Sequence, residues 1–201
     1  MSAGTSFSAN DFADIGGYAA VRKALERLTK KGRLRRIRRG FYDRPSDHPL
    51  MGKTAPDPTA LVRGMMKHSN ARWQVSGAYA ANMLHLSEQV PAKMVILTDG
   101  ASRKIALGKL TLEFRHAAPR NLVAAGSVAG TVIQALRHLR QHGATDAVVA
   151  NLRRQLDDDT KKSLQKTIPL LAAWMRPIIQ RITTCNPSTA RASTETSSTE
   201  S

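Results

Sequence analysis

Residues 17–42 read GYAAVRKALERLTKKGRLRRIRRGFY, and the fold turns on how that stretch is divided. From Tyr18 to about Lys31, Val21, Ala24, Leu25 and Leu28 recur at helical spacing, while Arg22, Lys23, Glu26, Arg27 and Lys30 fall on other faces. Gly32 is placed to end that helix, because glycine accepts the left-handed backbone common just past a helix C-terminus. Beyond it, Leu34, Ile37, Phe41 and Tyr42 can pack inward from two short strands, with Arg38-Arg39-Gly40 supplying the turn between them. Phe41 and Tyr42 are read as core rather than as platforms for base stacking, the commoner fate of aromatics in a short strand of a small domain.

Towards the N-terminus, Ser8 followed by Asp11 is a capping signal for a short helix over Ala9–Asp14, with Phe12 and Ile15 facing inward and Gly16-Gly17 ending it. A short helix, a tight glycine turn, a second helix and a basic hairpin describe a winged helix-turn-helix over residues 1–45, in which the second helix enters the major groove. Such units commonly carry one more helix in front. Only Met1–Phe7 precede this one, so either the true start of the chain lies upstream or the unit lacks its first helix.

The charge points the same way. The chain of 201 residues has a formal net charge of +16 and a pI near 10.9, a balance that favours a polyanionic partner. Eleven Lys and Arg lie between Gly17 and Arg44, opposed by Glu26 and Asp43 alone. Tyr18, Arg22, Lys23 and Arg27 are the candidate DNA-contacting residues on the helix, where arginine can grip guanine bidentately. Arg35, Arg36, Arg38 and Arg39 are the wing candidates, suited to phosphates or the minor groove. Lys30, Lys31 and Arg33 serve equally well to complement the helix dipole or to meet phosphate.

Downstream, residues 46–58 hold Pro49, Pro56 and Pro58 and read as an extended linker. Residues 59–182 then read as a mixed domain: a helix over Thr59–His68, a strand over Arg72–Val75, and a helix over Ala78–Leu86 capped by Ser76. A strand over Lys93–Leu97 and a hairpin over Lys104–Leu107 and Leu110–Arg115, turning at Gly108-Lys109, make a small sheet. A helical bundle closes the domain, with stripes Val128/Val132/Leu136/Leu139 and Val148/Leu152/Leu156, an Asp157–Asp159 helix start, and a last helix opened by Pro169 and kinked at Pro177. Residues 183–201 are Ser/Thr-rich and read as a disordered tail. The fold class is thus α+β.

Several chemistries find no support. Cys185 is the single cysteine, so neither an intrachain disulfide nor a cysteine zinc site is available. His138 and His142 lie four apart without a third ligand and read as surface, and Asp157–Asp159 read as helix caps rather than a cation site. Gly126-Ser127-Val128-Ala129-Gly130 lacks the order of a nucleophile elbow. No enzyme activity, cofactor or metal is expected. No apolar run reaches the length of a membrane span and no signal peptide is evident, so a cytoplasmic, nucleoid-associated protein is expected.

The run from Phe12 to Tyr42, with Ala19-Ala20-Val21, Ala24-Leu25, Leu28, Lys31-Gly32, Leu34-Arg35-Arg36 and Gly40-Phe41-Tyr42, resembles the start of AbiEi-type antitoxins, transcriptional regulators of bacterial type IV toxin–antitoxin and abortive-infection systems. The resemblance continues through Ser76-Gly77-Ala78-Tyr79-Ala80-Ala81-Asn82, Val90-Pro91-Ala92-Lys93, Leu97-Thr98-Asp99-Gly100, Arg115 and Pro119-Arg120-Asn121, and spans roughly residues 7–180. It implies a repressor that binds inverted repeats in duplex DNA at its own promoter. It also implies that the C-terminal domain opposes a neighbouring nucleotidyltransferase-like toxin without stable contact. Two other readings fit the residues: residues 59–182 as a module that holds a protein partner directly, and an RNA-binding protein, which rests on charge alone.

Overall fold

The structure, a computed structural model, describes residues 4–48 and 52–184 and is mixed α+β. The chain divides into two units that interleave along the sequence: Met1–Trp73 with Ala92–His116, and Gln74–Pro91 with Ala117–Ser201.

In the first unit, β1 (Ser6–Phe7), β2 (Arg35–Arg38) and β3 (Phe41–Asp43) form an antiparallel sheet in the order β1-β3-β2. Phe7 lies opposite Tyr42 and Ser6 opposite Asp43, so the sheet has an apolar and a polar side. Against the apolar side sit a 3-10 turn, Ala9–Phe12, and helix α1 (Tyr18–Lys30). Phe7, Ala9, Leu25 and Tyr42 are buried there with Phe12, Val21 and Leu34 around them, and the rings of Phe7 and Phe12 meet edge to face at 5.6 Å. Tyr42 is core, as expected, and Phe41 is half-buried. The expected helix over Ala9–Asp14 is corrected to the shorter turn. Asp11 folds back to accept from the Ser8 backbone at 2.8 Å, closing a capping box over this single turn. Ile15, expected to face inward, is 75% exposed because the chain has already left the turn. Among the described residues no helix precedes β1.

The segment expected to be an extended linker is instead folded onto this unit. Here β4 (Asp47–His48) pairs with β5 (Gly52–Lys53), and the Thr54 backbone donates to the Ser46 carbonyl at 2.8 Å. Helix α2 (Pro58–Met66) starts on Asp57, whose carboxylate accepts from Thr59 N, with Pro58 in the first turn where no N–H is missed. It packs on β1 and β3, and its Gly64 comes so close that an added Cβ would lie 2.9 Å from the Ser6 carbonyl oxygen. The strand β6 (Trp73–Ser76) carries the chain out of the unit. On its return, β7 (Lys93–Thr98) pairs parallel with β9 (Leu110–His116), and β8 (Arg103–Leu107) pairs antiparallel with β9 as the outer strand. The expected hairpin turning at Gly108-Lys109 is present, and Leu112 and Phe114 of β9 are buried with Met94 and Ile96 of β7.

The second unit is helical: α3 (Gly77–Met83), α4 (Val128–Gly143), α5 (Asp146–Gln155), α6 (Asp158–Thr167) and α7 (Met175–Thr183). Its core includes Ala80, Ala81, Val132, Ile133, Leu136, Leu152, Leu164, Met175 and Ile179. Several expectations are corrected here. Val128 is half-exposed and the stripe runs instead through Ala129, Val132, Ile133 and Leu136. Ser76 is the N-cap residue of α3, as expected, but its side chain makes no capping bond, its hydroxyl being given to Gln134 Oε1 at 3.1 Å. Pro169 lies in a 3-10 turn, Ile168–Leu170, and the last helix begins later. Pro177 falls in its first turn, so it displaces no intrahelical bond and no kink follows. Instead the backbone breaks at Arg140 of α4, where φ is +60°. The Asp157 cap holds, accepting from Thr160 N at 2.7 Å, and α4 starts on Ser127, whose hydroxyl accepts from Gly130 N at 3.1 Å. The tail expected over 183–201 lies outside the described residues from Cys185 onward, while Thr183 still ends α7.

Candidate nucleic-acid interface

Helix α1 packs through one side only. Leu25 is its single buried residue, with Val21, Ala24, Leu28 and Thr29 half-buried beside it. At 3.6 residues per turn this orientation turns Lys23, Arg27 and Lys30 directly away from the sheet. All three are exposed, and none has an ion pair among the described residues. Arg22, on the flank, reaches Glu26 one turn on, with Nε 3.7 Å from Oε1 and both side chains about half exposed. That pair is worth only about 0.3–0.5 kcal/mol at the surface, so it does not hold Arg22 against a phosphate or a guanine. Tyr18 stands at the start of the helix, 59% exposed.

The hairpin cations separate into two kinds. Arg35 is half-buried and committed: its Nε and Nη2 donate to both oxygens of Asp43 at 3.1 and 2.5 Å, and its Nη1 donates to the Thr54 carbonyl at 2.6 Å. Asp43 is only 1% exposed, so this fork stitches β2 and β3 to the segment after β5. Arg36 faces the other side of the strand, opposite Tyr42, and is exposed. The register slips between Arg36 and Arg38, a bulge at Ile37 that re-aims Arg38, whose Nη1 lies 3.9 Å from Met65 Sδ. Arg39 is exposed at the turn, which Gly40 closes at φ +82°.

The structure therefore brings Tyr18, Arg22, Lys23 and Arg27 onto one exposed helix and Arg36, Arg38 and Arg39 onto the adjoining hairpin, and takes Arg35 out of the set. Sequence reasoning left Lys30 undecided and passed over Lys53, which donates to the Gly32 carbonyl at 3.3 Å beside the end of α1. Asp43 held the signal for Arg35. It is the one acid in the hairpin and lies across from Arg35 in register.

Behind this surface, Asp11 fixes the 3-10 turn to α2. Burial alone would raise its pKa, but hydrogen bonds from Lys67 and Ser8 outweigh that and lower it. His68 Nε2 lies 3.3 Å from the same carboxylate. Elsewhere in the unit, Glu113 on β9 is held at a pKa of about 2 by Lys93 first and Arg115 second, which also ties up those two cations.

A family model for proteins of unknown function, DUF6088, matches residues 1–164. The chain belongs to the DUF6088 family. No curated protein matches it. Among solved structures, this DUF6088 chain is similar to the crystal structure of the Rv2827c protein from Mycobacterium tuberculosis, at 16% identity and a TM-score of 0.42, covering 89% of this chain and 75% of that one. Among the described residues of this family member, no helix is long and apolar enough to cross a membrane.

Proposed function

We propose that the chain is a DNA-binding transcription regulator whose reading unit is a winged helix-turn-helix, with the 3-10 turn and α1 as the helix-turn-helix and the β2–β3 hairpin as the wing. The observation that carries this is the outward side of α1. Lys23, Arg27 and Lys30 have no ion pair there among the described residues, beside a hairpin whose Arg36 and Arg39 are equally exposed. In such a docking, Tyr18, Arg22 and Lys23 meet base edges and the hairpin meets phosphates or the minor groove. The resemblance to AbiEi-type antitoxins supports the narrower reading of an autorepressor that binds inverted repeats at its own promoter and opposes a nucleotidyltransferase-like toxin encoded beside it.

The test is binding of the full chain to a labelled duplex of its own upstream region and to a random duplex, across a salt series. Affinity for both should fall steeply with salt, and the upstream region should retain a preference. Arg22→Ala should shrink that preference more than Arg38→Ala does. Equal binding of the two duplexes by the wild type would refute the sequence-specific reading. For the antitoxin role, co-expression of the neighbouring gene should arrest growth only when this chain is absent.

A further inference from the structure

The edge of the wing faces a second basic element. β2 is the outer strand of its sheet, so its outer backbone groups have no ladder partner among the described residues. Along that edge runs a cleft of about 580 Å³ whose other wall is the turn between β8 and β9. Ile37, Pro56, Leu107 and Leu110 give it an apolar floor, and Arg36 and Lys109 stand at its rim. Both cations are exposed, and neither has an ion pair or side-chain hydrogen bond among the described residues. Two neighbours of theirs are already engaged: Arg35 by Asp43 and Thr54, and Lys104 within 3.9 Å of Glu113. Arg35 lines the cleft as well but is spent on that fork, so Arg36 and Lys109 are the cations on it left without a partner among the described residues.

A nucleic-acid strand alternates anionic phosphates with sugar rings whose faces are largely apolar. The cleft offers the complement of that alternation, cations at the rim over aliphatic and proline surface. An acidic peptide would match the cations but would leave the apolar floor without a regular counterpart. We propose that this cleft seats a stretch of the DNA sugar–phosphate backbone, with Arg36 and Lys109 each taking a phosphate while deoxyribose faces lie on Ile37, Pro56 and Leu107. The inference rests on the DNA-binding reading above and enlarges it. The β8–β9 hairpin becomes a second anchor beside the wing, and because phosphates carry no base identity it adds affinity without adding sequence preference.

The experiment uses the full chain, labelled duplexes of the upstream region and of random sequence, and the slope of log affinity against log salt. Removing one cation that neutralises a B-DNA phosphate should flatten that slope by about 0.9. Lys109→Ala and Arg36→Ala should each do so, and the double variant should flatten it by about twice as much. Both duplexes should weaken by the same factor, with Lys109→Arg near wild type and Lys104→Ala unchanged. Thermal melting of each variant should match the wild type, since both side chains are exposed. A wild-type slope in Lys109→Ala, while the wild type binds duplex normally, would overturn this inference and leave the DNA-binding reading standing. So would weakening confined to the upstream duplex, which would make Lys109 a base reader. Failure of the wild type to bind any duplex would overturn the earlier reading and this one with it.

Discussion

Asp43 is 1% exposed with both of its oxygens taken by Arg35, whose third donor reaches the Thr54 carbonyl. Cutting one member of such a pair strands the other in a poorly solvated place, and the cost is far above that of a surface ion pair. Asp43→Ala should therefore lower unfolding free energy by about 3 kcal/mol in urea denaturation, whereas Arg36→Ala, with no partner to strand, should stay within about 0.5 kcal/mol of wild type. Equal effects of the two would show that the fork does not brace the hairpin. A second residue is constrained by space. A Cβ on Gly130 would lie 2.3 Å from the Ala124 carbonyl oxygen and 2.5 Å from Gln74 Oε1. Gln74 is itself buried, donating to Thr131 Oγ1 at 2.9 Å and accepting from Gly126 N at 2.9 Å, so it has no room to retreat without breaking those bonds. Gly130→Ala should cost about 3 kcal/mol for this overpacking, read as a drop in melting temperature; a variant as stable as wild type would mean the α4 start can shift.

At the scale of elements, the sheet of β7, β9 and β8 is tied across by Glu113, which faces Lys93 at 2.8 Å, Arg115 at 3.1 Å and Lys104 at 3.9 Å. Its folded pKa of about 2 lies below the ordinary 4.5. The stabilisation it gives is complete above pH 4.5 and is lost as the pH falls towards 2, because protonation then favours the unfolded chain. Denaturation midpoints measured down that range should fall more steeply for the wild type than for Glu113→Gln, and parallel curves would show that Glu113 does not tie the strands. The elements themselves were legible to different degrees. Helix α1 and the β2–β3 and β8–β9 hairpins were readable because a local period of apolar residues meets a glycine turn in each. β1 escaped because two residues carry no period, and its partner β3 lies more than thirty positions on. The parallel pairing of β7 with β9 escaped for the same reason, since nothing in either strand names its neighbour. In the candidate site, position along α1 was legible from spacing, while the diversion of Arg35 into structure depended on a cross-strand acid that spacing does not rank.

Across the whole molecule the charge is unequally shared. The unit containing α1 and the hairpins holds twenty of the 31 Lys and Arg but eight of the 15 Asp and Glu, so most of the positive field originates there. That unit is assembled from two stretches of chain, one on either side of Gln74–Pro91. A fragment ending at residue 58 keeps α1 and the hairpin but loses α2, which covers β1 and β3. It should show weaker far-UV helical signal per residue and no cooperative melt; a fragment that melts cooperatively would show that the first sheet stands without that cover.

The interleaving of the two units also bears on inheritance. A unit that occupies one continuous stretch of chain can be copied, fused or exchanged by a single recombination at its end. Here the chain leaves the first unit after Trp73, returns at Ala92 and leaves again after His116, so no single crossover moves one unit without splitting the other. The two units are bound to travel and diverge together, and a change in either has to be made by substitution in place rather than by exchange of a whole domain.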